Sequence, residues 1–222
     1  FAEARSNKKW MANALHAQGA SFYLKGNYEK ALEYYSKSLA IREELDEKKG
    51  MGDSYNNIGV IYKDQGNYKK ALEYYSKSSA IREELGDKKG VGACYNNIGG
   101  VYWNQGNYEK ALEYYSKSLA ILKELDDKEG MGASYNNIGG IYWNQGNYEK
   151  ALEYYLKSLS IKEKIGDKKG MGDSYNNIGI IYHEQGNYEK ALEYHSKSLV
   201  IRKELGDKKG MGYSYNNIGG IY

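Results

Sequence analysis

Across 222 residues, 32 Lys and Arg stand against 29 Asp and Glu, a net charge of +3 with the two signs interspersed. That balance lacks the clustered basic face of a nucleic-acid binder, and no apolar run is long enough to cross a bilayer. Proline is absent and Cys94 is the single cysteine: glycine and capping side chains must end the helices, no intrachain disulfide forms, and a reducing, cytoplasmic compartment is the better fit.

In chain order, Phe1 to Arg5 align with Ile41 to Leu45 and read as the tail of a preceding repeat. Repeats follow at 10–49, 50–89, 90–129, 130–169 and 170–209, with a partial sixth at 210–222. The whole chain, 1–222, thus reads as one array, cut at both ends from a longer one and carrying no signal peptide. Gly19, Gly59, Gly99, Gly139, Gly179 and Gly219 mark the period. A fixed period of this size belongs to solenoids, in which each unit buries its apolar face against its neighbours. The first unit is degenerate from Leu15 to Gly19.

The second unit sets the pattern. Tyr55, Ile58, Gly59 and Tyr62 fall at helical spacing and form one stripe of a first helix. Gly66 supplies the left-handed residue that ends it, and Asn67 caps a second helix from Tyr68. Ala71, Leu72, Tyr75, Ser78, Ile81 and Leu85 form that helix's apolar or small face. Glu73 and Lys77 sit outside, four apart in the favourable order. Gly86 ends the helix and Asp87 caps the next. The Gly-Asn cap and the Glu-to-Lys pair recur, from Glu33 with Lys37 to Glu193 with Lys197.

Tyr55, Ile58-Gly59 and Tyr62 on the first helix, with Gly66, Tyr68, Ala71, Tyr75 and Ser78 on the second, resemble the tetratricopeptide repeat. The usual proline after the second helix is missing, with Glu83 in its place, and the unit is longer than the family's common form. This lengthened pattern is similar to the repeats of kinesin light chains, spindle-orientation adaptors and bacterial signalling proteins. The resemblance implies an all-α, right-handed superhelical solenoid of antiparallel helix hairpins, whose first helices line a concave, partner-binding groove.

Comparison among the repeats separates shared architecture from specialisation. Positions 53, 60, 63 and 64 vary on the first helix, and Asp53, Asn57, Val60 and Asp64 point roughly opposite the Tyr55 stripe, flanked by Asn56 and Lys63. Asn57, Asn97, Asn137, Asn177 and Asn217 therefore form a row on the groove side. An amide donates and accepts, which suits the main chain of an extended peptide. The alternative is a hydrogen bond between helices that fixes their stacking. The same two readings apply to the Asn56, Asn96, Asn136 and Asn176 row.

In the third and fourth repeats Val60 becomes Gly100 and Gly140, and Lys63 becomes Trp103 and Trp143, followed by Asn104 and Asn144. A missing side chain beside a large aromatic makes a recess for an anchor, or a gap in which tryptophan packs on its neighbours. Asp53, Asp64, Asp173 and Glu184 outnumber Lys63, favouring a neutral or basic ligand and opposing a cationic clamp for terminal carboxylates. His183 is a pH-responsive groove residue or an ordinary stacking histidine.

Catalytic patterns are missing. His16 lies in the first repeat and His183 and His195 at different helix positions of the fifth, so no metal spacing arises. Cys94 replaces Ser54, Ser134 and Ser174 as a small buried residue. The string GDKKGMG lacks the Gly-Lys-Ser/Thr ending of a phosphate loop. The chain is expected to be no enzyme and to need no cofactor or metal. It reads as a scaffold for a protein or peptide segment, with a regulatory or sensory segment of a larger signalling enzyme (a sensor kinase or cyclase) as the second reading. The third is a structural solenoid that associates end to end.

Overall fold

A computed structural model describes residues 2–222, with side chains from Glu3 onward. The assignment of Phe1 to an earlier repeat lies outside the described residues. Those residues form eleven helices and no strand: α1 (Ala2–Leu24), α2 (Tyr28–Glu44), α3 (Lys48–Asp64), α4 (Tyr68–Glu84), α5 (Lys88–Asn104), α6 (Tyr108–Glu124), α7 (Lys128–Asn144), α8 (Tyr148–Ile165), α9 (Lys168–Glu184), α10 (Tyr188–Glu204) and α11 (Lys208–Gly219). They fall into two compact units that meet within α6, one through Ser118 and the other Leu119–Tyr222.

Glycine and asparagine place the turns where their spacing predicts. Gly66 has φ of 74°, and the Asn67 Oδ1 accepts from the Lys70 amide at 3.2 Å, opening α4. Gly86 has φ of 68°, and the Asp87 Oδ1 accepts from the Gly90 amide at 2.9 Å, opening α5. Two turns do without glycine: Asp46 and Asp126 take φ of 52° and 49°. A side chain there crowds the backbone, so Asp46→Gly and Asp126→Gly should each stabilise the fold by about 0.5–1 kcal/mol. Thermal melts check this, and unchanged or lowered midpoints in both variants would reject it. At Ser6 and Asn7, where other repeats turn, α1 runs on unbroken.

In the first unit α1 packs on α2 and α3 on α4, each pair joined by a three-residue turn into an antiparallel hairpin. Successive hairpins meet through α2 with α3 and α4 with α5. Ala31 and Tyr35 from one hairpin bury Ile58 and Ile61 of the next, and Ala71 and Tyr75 do the same for Ile98 and Val101. Each buried isoleucine contributes about 1.5–3 kcal/mol. The second unit repeats the arrangement with Ala151, Tyr155, Leu159, Ile178 and Ile181.

Two details set the closeness of each hairpin. The Tyr75 ring lies against the Gly59 backbone, where a Cβ would stand 2.8 Å from ring carbons. Buried Ser78 donates from Oγ to the Gly52 carbonyl at 2.8 Å, as Ser38, Ser158 and Ser198 do to Ala12, Gly132 and Gly172. At the edge of this core half-buried Tyr62 stacks on Tyr74 with Lys70 over its ring, and exposed Lys77 pairs with Glu73 at 2.7 Å.

Candidate ligand-binding face

The asparagine rows link neighbouring first helices. In the first unit, Asn97 Nδ2 donates to Asn56 Oδ1 at 2.9 Å, and Asn57 Nδ2 lies 3.0 Å from His16 Nε2. His16 stands where later repeats have asparagine, and only an unprotonated Nε2 can accept that amide hydrogen. In the second unit, Asn177 donates to Asn136 at 3.1 Å and Asn217 to Asn176 at 2.9 Å. Each of these donors braces the preceding first helix through Nδ2, the stacking role that the sequence offers as the alternative to ligand contact. Asn57, Asn97, Asn137 and Asn177 are all half-buried, as is Asn96.

The variable residues lie toward the C-terminal ends of the same helices. Trp103 is half-buried, and a Cβ at Gly100 would meet only the Tyr115 hydroxyl, at 3.6 Å. Trp143 is 38% exposed beside a buried Gly140. Asn144 Nδ2 donates to the Gly140 carbonyl one turn back at 2.9 Å, while Asn104 is exposed. Lys63 is half-buried with Nζ 3.5 Å from Asp64, and the His183 ring lies 5.5 Å from Tyr188.

The acids on this face have partners within the chain. Asp53 pairs with Arg82 at 2.6 Å and Asp173 with Arg202 at 3.2 Å. Asp64 accepts from the Tyr23 hydroxyl at 2.8 Å, and burial with this bond pushes the Tyr23 pKa up to about 12. Glu184 accepts from the Tyr148 hydroxyl at 3.5 Å. The sequence reading left these acids facing a ligand. Its missed signal is a covariation twenty-nine residues apart, Asp53 with Arg82 and Asp173 with Arg202.

Two recesses open beside the asparagine rows of the second unit. One, of 350 Å³, is lined by Ile180, His183, Glu184, His195, Asn216 and Asn217. The other, of 290 Å³, lies among α7, α8 and α9 beside Asn136 and Asn137. Cys94 is fully buried with Sγ 3.3 Å from Ser78 Oγ, and burial pushes its thiol pKa up, away from the reactive thiolate. Among the described residues no group of His, Cys, Asp or Glu is placed to hold a metal ion, and no helix is long and apolar enough to cross a membrane.

The tetratricopeptide repeat profile matches residues 10–84, 90–164 and 170–222. The chain belongs to the tetratricopeptide repeat family. No curated protein sequence matches it. Several solved structures share its fold at low identity. Aspartyl phosphate phosphatase F from Bacillus subtilis is 18% identical with a TM-score of 0.86, over 98% of this chain and 60% of that one. A signal-transduction ATPase with a tetratricopeptide repeat sensor, from Pyrococcus horikoshii, is 23% identical with a TM-score of 0.80, over 96% and 33%. Kinesin light chain repeats from Podospora anserina are 17% identical with a TM-score of 0.70, over 90% and 98%. Within this tetratricopeptide array the fifth repeat stands apart, since His195 replaces the core tyrosine of the four before it.

Proposed function

We propose that this tetratricopeptide array is a protein-binding scaffold that holds an extended peptide segment along the first-helix face of its repeats. The observation that carries the reading is the asparagine ladder. Each of the links Asn97–Asn56, Asn177–Asn136 and Asn217–Asn176 uses one donor amide to brace a neighbouring helix, and the donors' carbonyl oxygens recur once per repeat, a spacing suited to peptide main-chain donors. The recesses beside Asn136 and Asn216 supply room for side chains between those contacts. A neutral stretch suits this face, because Asp53, Asp64, Asp173 and Glu184 are already matched within the chain.

Trp103 and Trp143 are the anchors of this reading. Trp143 is exposed and Trp103 half-buried, each three residues beyond a glycine, and such a ring offers a flat apolar wall that loses water on contact. Peptides selected from an unbiased display library should bind Trp103→Ala or Trp143→Ala at least tenfold more weakly, with helicity unchanged by circular dichroism. Full affinity in both variants would reject the anchors, and a library yielding no binder would reject the scaffold.

A second reading, a sensory segment of a larger signalling protein, is favoured by the match to the Pyrococcus sensor, which covers 96% of this chain and 33% of that one. The full coding sequence tests it, through the presence or absence of a catalytic or DNA-binding module beside the array.

A further inference from the structure

One position in the second helix of each repeat points a long side chain under the next hairpin: Arg42, Arg82, Leu122, Lys162 and Arg202. The buried Arg42 and Arg202 each make two kinds of contact. Nη1 of Arg42 donates to the Gly50 carbonyl and Ser54 Oγ at 2.5 and 3.3 Å, and Nη1 of Arg202 to Gly210 and Ser214 at 2.6 and 3.2 Å. Nη2 turns back to a first-helix side chain twenty-nine residues earlier, Asn13 at 3.1 Å or Asp173 at 3.2 Å. Arg82 does the same with Asp53 at 2.6 Å.

Lys162 keeps half of this arrangement. Its Nζ donates to the Gly170 carbonyl and Ser174 Oγ, both at 3.2 Å, where Arg202 uses Gly210 and Ser214. The other half has no equivalent, because the residue twenty-nine earlier is Ala133. Lys162 is 9% exposed, and an ammonium carries three donors, one more than these two bonds use. The 290 Å³ recess opens here, bounded by Lys162 and Ala133.

We propose that this recess is a carboxylate subsite, in which a ligand carboxylate takes the place that Asp53 and Asp173 fill beside Arg82 and Arg202. The carboxylate comes from an acidic side chain or from a free chain end. The proposal deepens the peptide-scaffold reading and rests on it for the class of ligand.

Three acids and two lysines line the recess, and among the described residues no carboxylate makes a hydrogen bond to the Lys162 ammonium. Asp167 and Asp173 line the recess, but the Asp167 Oδ1 accepts from the Gly170 amide at 2.9 Å, and the Asp173 Oδ1 from Arg202. Glu129 stands on the exposed first turn of α7, opposite a second cation, Lys169. Asn136 and Asn137 border the recess and put amides beside any incoming main chain. Burial lowers the Lys162 pKa although Asp173 and Asp167 act in the opposite sense, and a bound carboxylate would add to their effect.

The test uses protein with isotope-labelled lysines and three tripeptides. Acetyl-Ala-Glu-Ala-amide offers a side-chain carboxylate, acetyl-Ala-Ala-Ala a free chain end, and acetyl-Ala-Gln-Ala-amide neither. At least one of the first two should move the Lys162 side-chain NMR signals, and the neutral peptide should not. Which of the two acts names the source. Ala133→Asp should fill the place from within: the midpoint of thermal unfolding rises, and the carboxylate peptide binds at least tenfold more weakly. Ala133→Asn, similar in shape but uncharged, should give no such rise. Lys162 signals that ignore both carboxylates, or answer the neutral peptide equally, would overturn the subsite, as would a lowered midpoint in Ala133→Asp. A protein that selects display peptides while Lys162 ignores carboxylates keeps its scaffold role and loses the subsite. One that selects none while Lys162 answers keeps the subsite alone.

Discussion

Gly139→Ala should destabilise the second unit by about 1 kcal/mol, while Gly132→Ala, seven residues earlier on α7, should stabilise it by about 1 kcal/mol. Both substitutions remove the same helix penalty, about 1 kcal/mol for glycine relative to alanine. They differ in what the new methyl meets. At Gly139 it would stand 2.8 Å from the Tyr155 ring, which is buried and has no room to swing away. Overpacking of this kind costs about 1–3 kcal/mol and outweighs the gain in propensity. At Gly132 the nearest atom is the Ile161 Cγ2 at 3.5 Å, an ordinary contact. The Gly132 carbonyl keeps its bond from Ser158 in either case. Nothing in the structure explains why glycine stands at 132. Urea or thermal melts of the two variants, with Gly139→Ala repeated in a Tyr155→Leu background, measure the coupling. A wild-type midpoint for Gly139→Ala would mean that ring and backbone are not in contact.

That contrast marks what could be read beforehand. The stripe containing Gly59 is visible because its period is helical, and Gly66-Asn67 is visible because left-handed turns and caps need those residue types. Local chemistry settles such features, so the spans of the helices follow from it. Asp46 and Asp126 hide their turns, since the fold imposes there a backbone conformation that their residue type does not advertise. Ser6 and Asn7 show the reverse: without a glycine, the helix continues. The face itself is legible from residues that vary between repeats, but its electrostatics are not. Asp53 and Asp173 look free until Arg82 and Arg202, from other helices, are placed over them. The asparagine links join residues forty-one apart, one more than the repeat, so neither helical spacing nor repeat period exposes them. Contacts between elements were the unread part, and they pair the acids of this face that look free in the sequence.

His195→Tyr should raise stability at neutral pH and flatten the loss of stability that the second unit suffers on acidification. His195 is 1% exposed, its Nδ1 has no hydrogen-bond partner, and the Gly179 backbone lies against its ring. Burial, with help from His183 and Arg202, pushes its pKa down to about 4 from an ordinary 6.5. The unfolded chain therefore takes up a proton at a higher pH than the folded one. Stability is full above about pH 6.5 and declines as the pH falls toward about 4, by a total on the order of 3 kcal/mol. The exposed carboxylates, such as Glu33 and Glu73, have pKa values lowered by their lysines, so their contribution is lost only at more acid pH and does not imitate this slope. His16 shares the direction of His195 but belongs to the first unit, so part of the slope remains in the variant. Tyrosine fills this position in the four earlier repeats, and its larger ring would occupy space now open to the 350 Å³ recess. Removing an orphaned ring nitrogen and filling that space should together add about 1–2 kcal/mol at pH 7. Urea titrations at pH 7.5, 6 and 5 measure both effects. Identical pH slopes for variant and wild type would show that the imidazole is solvated, and would remove the physical basis for treating the fifth repeat as the acid-sensitive part of the array.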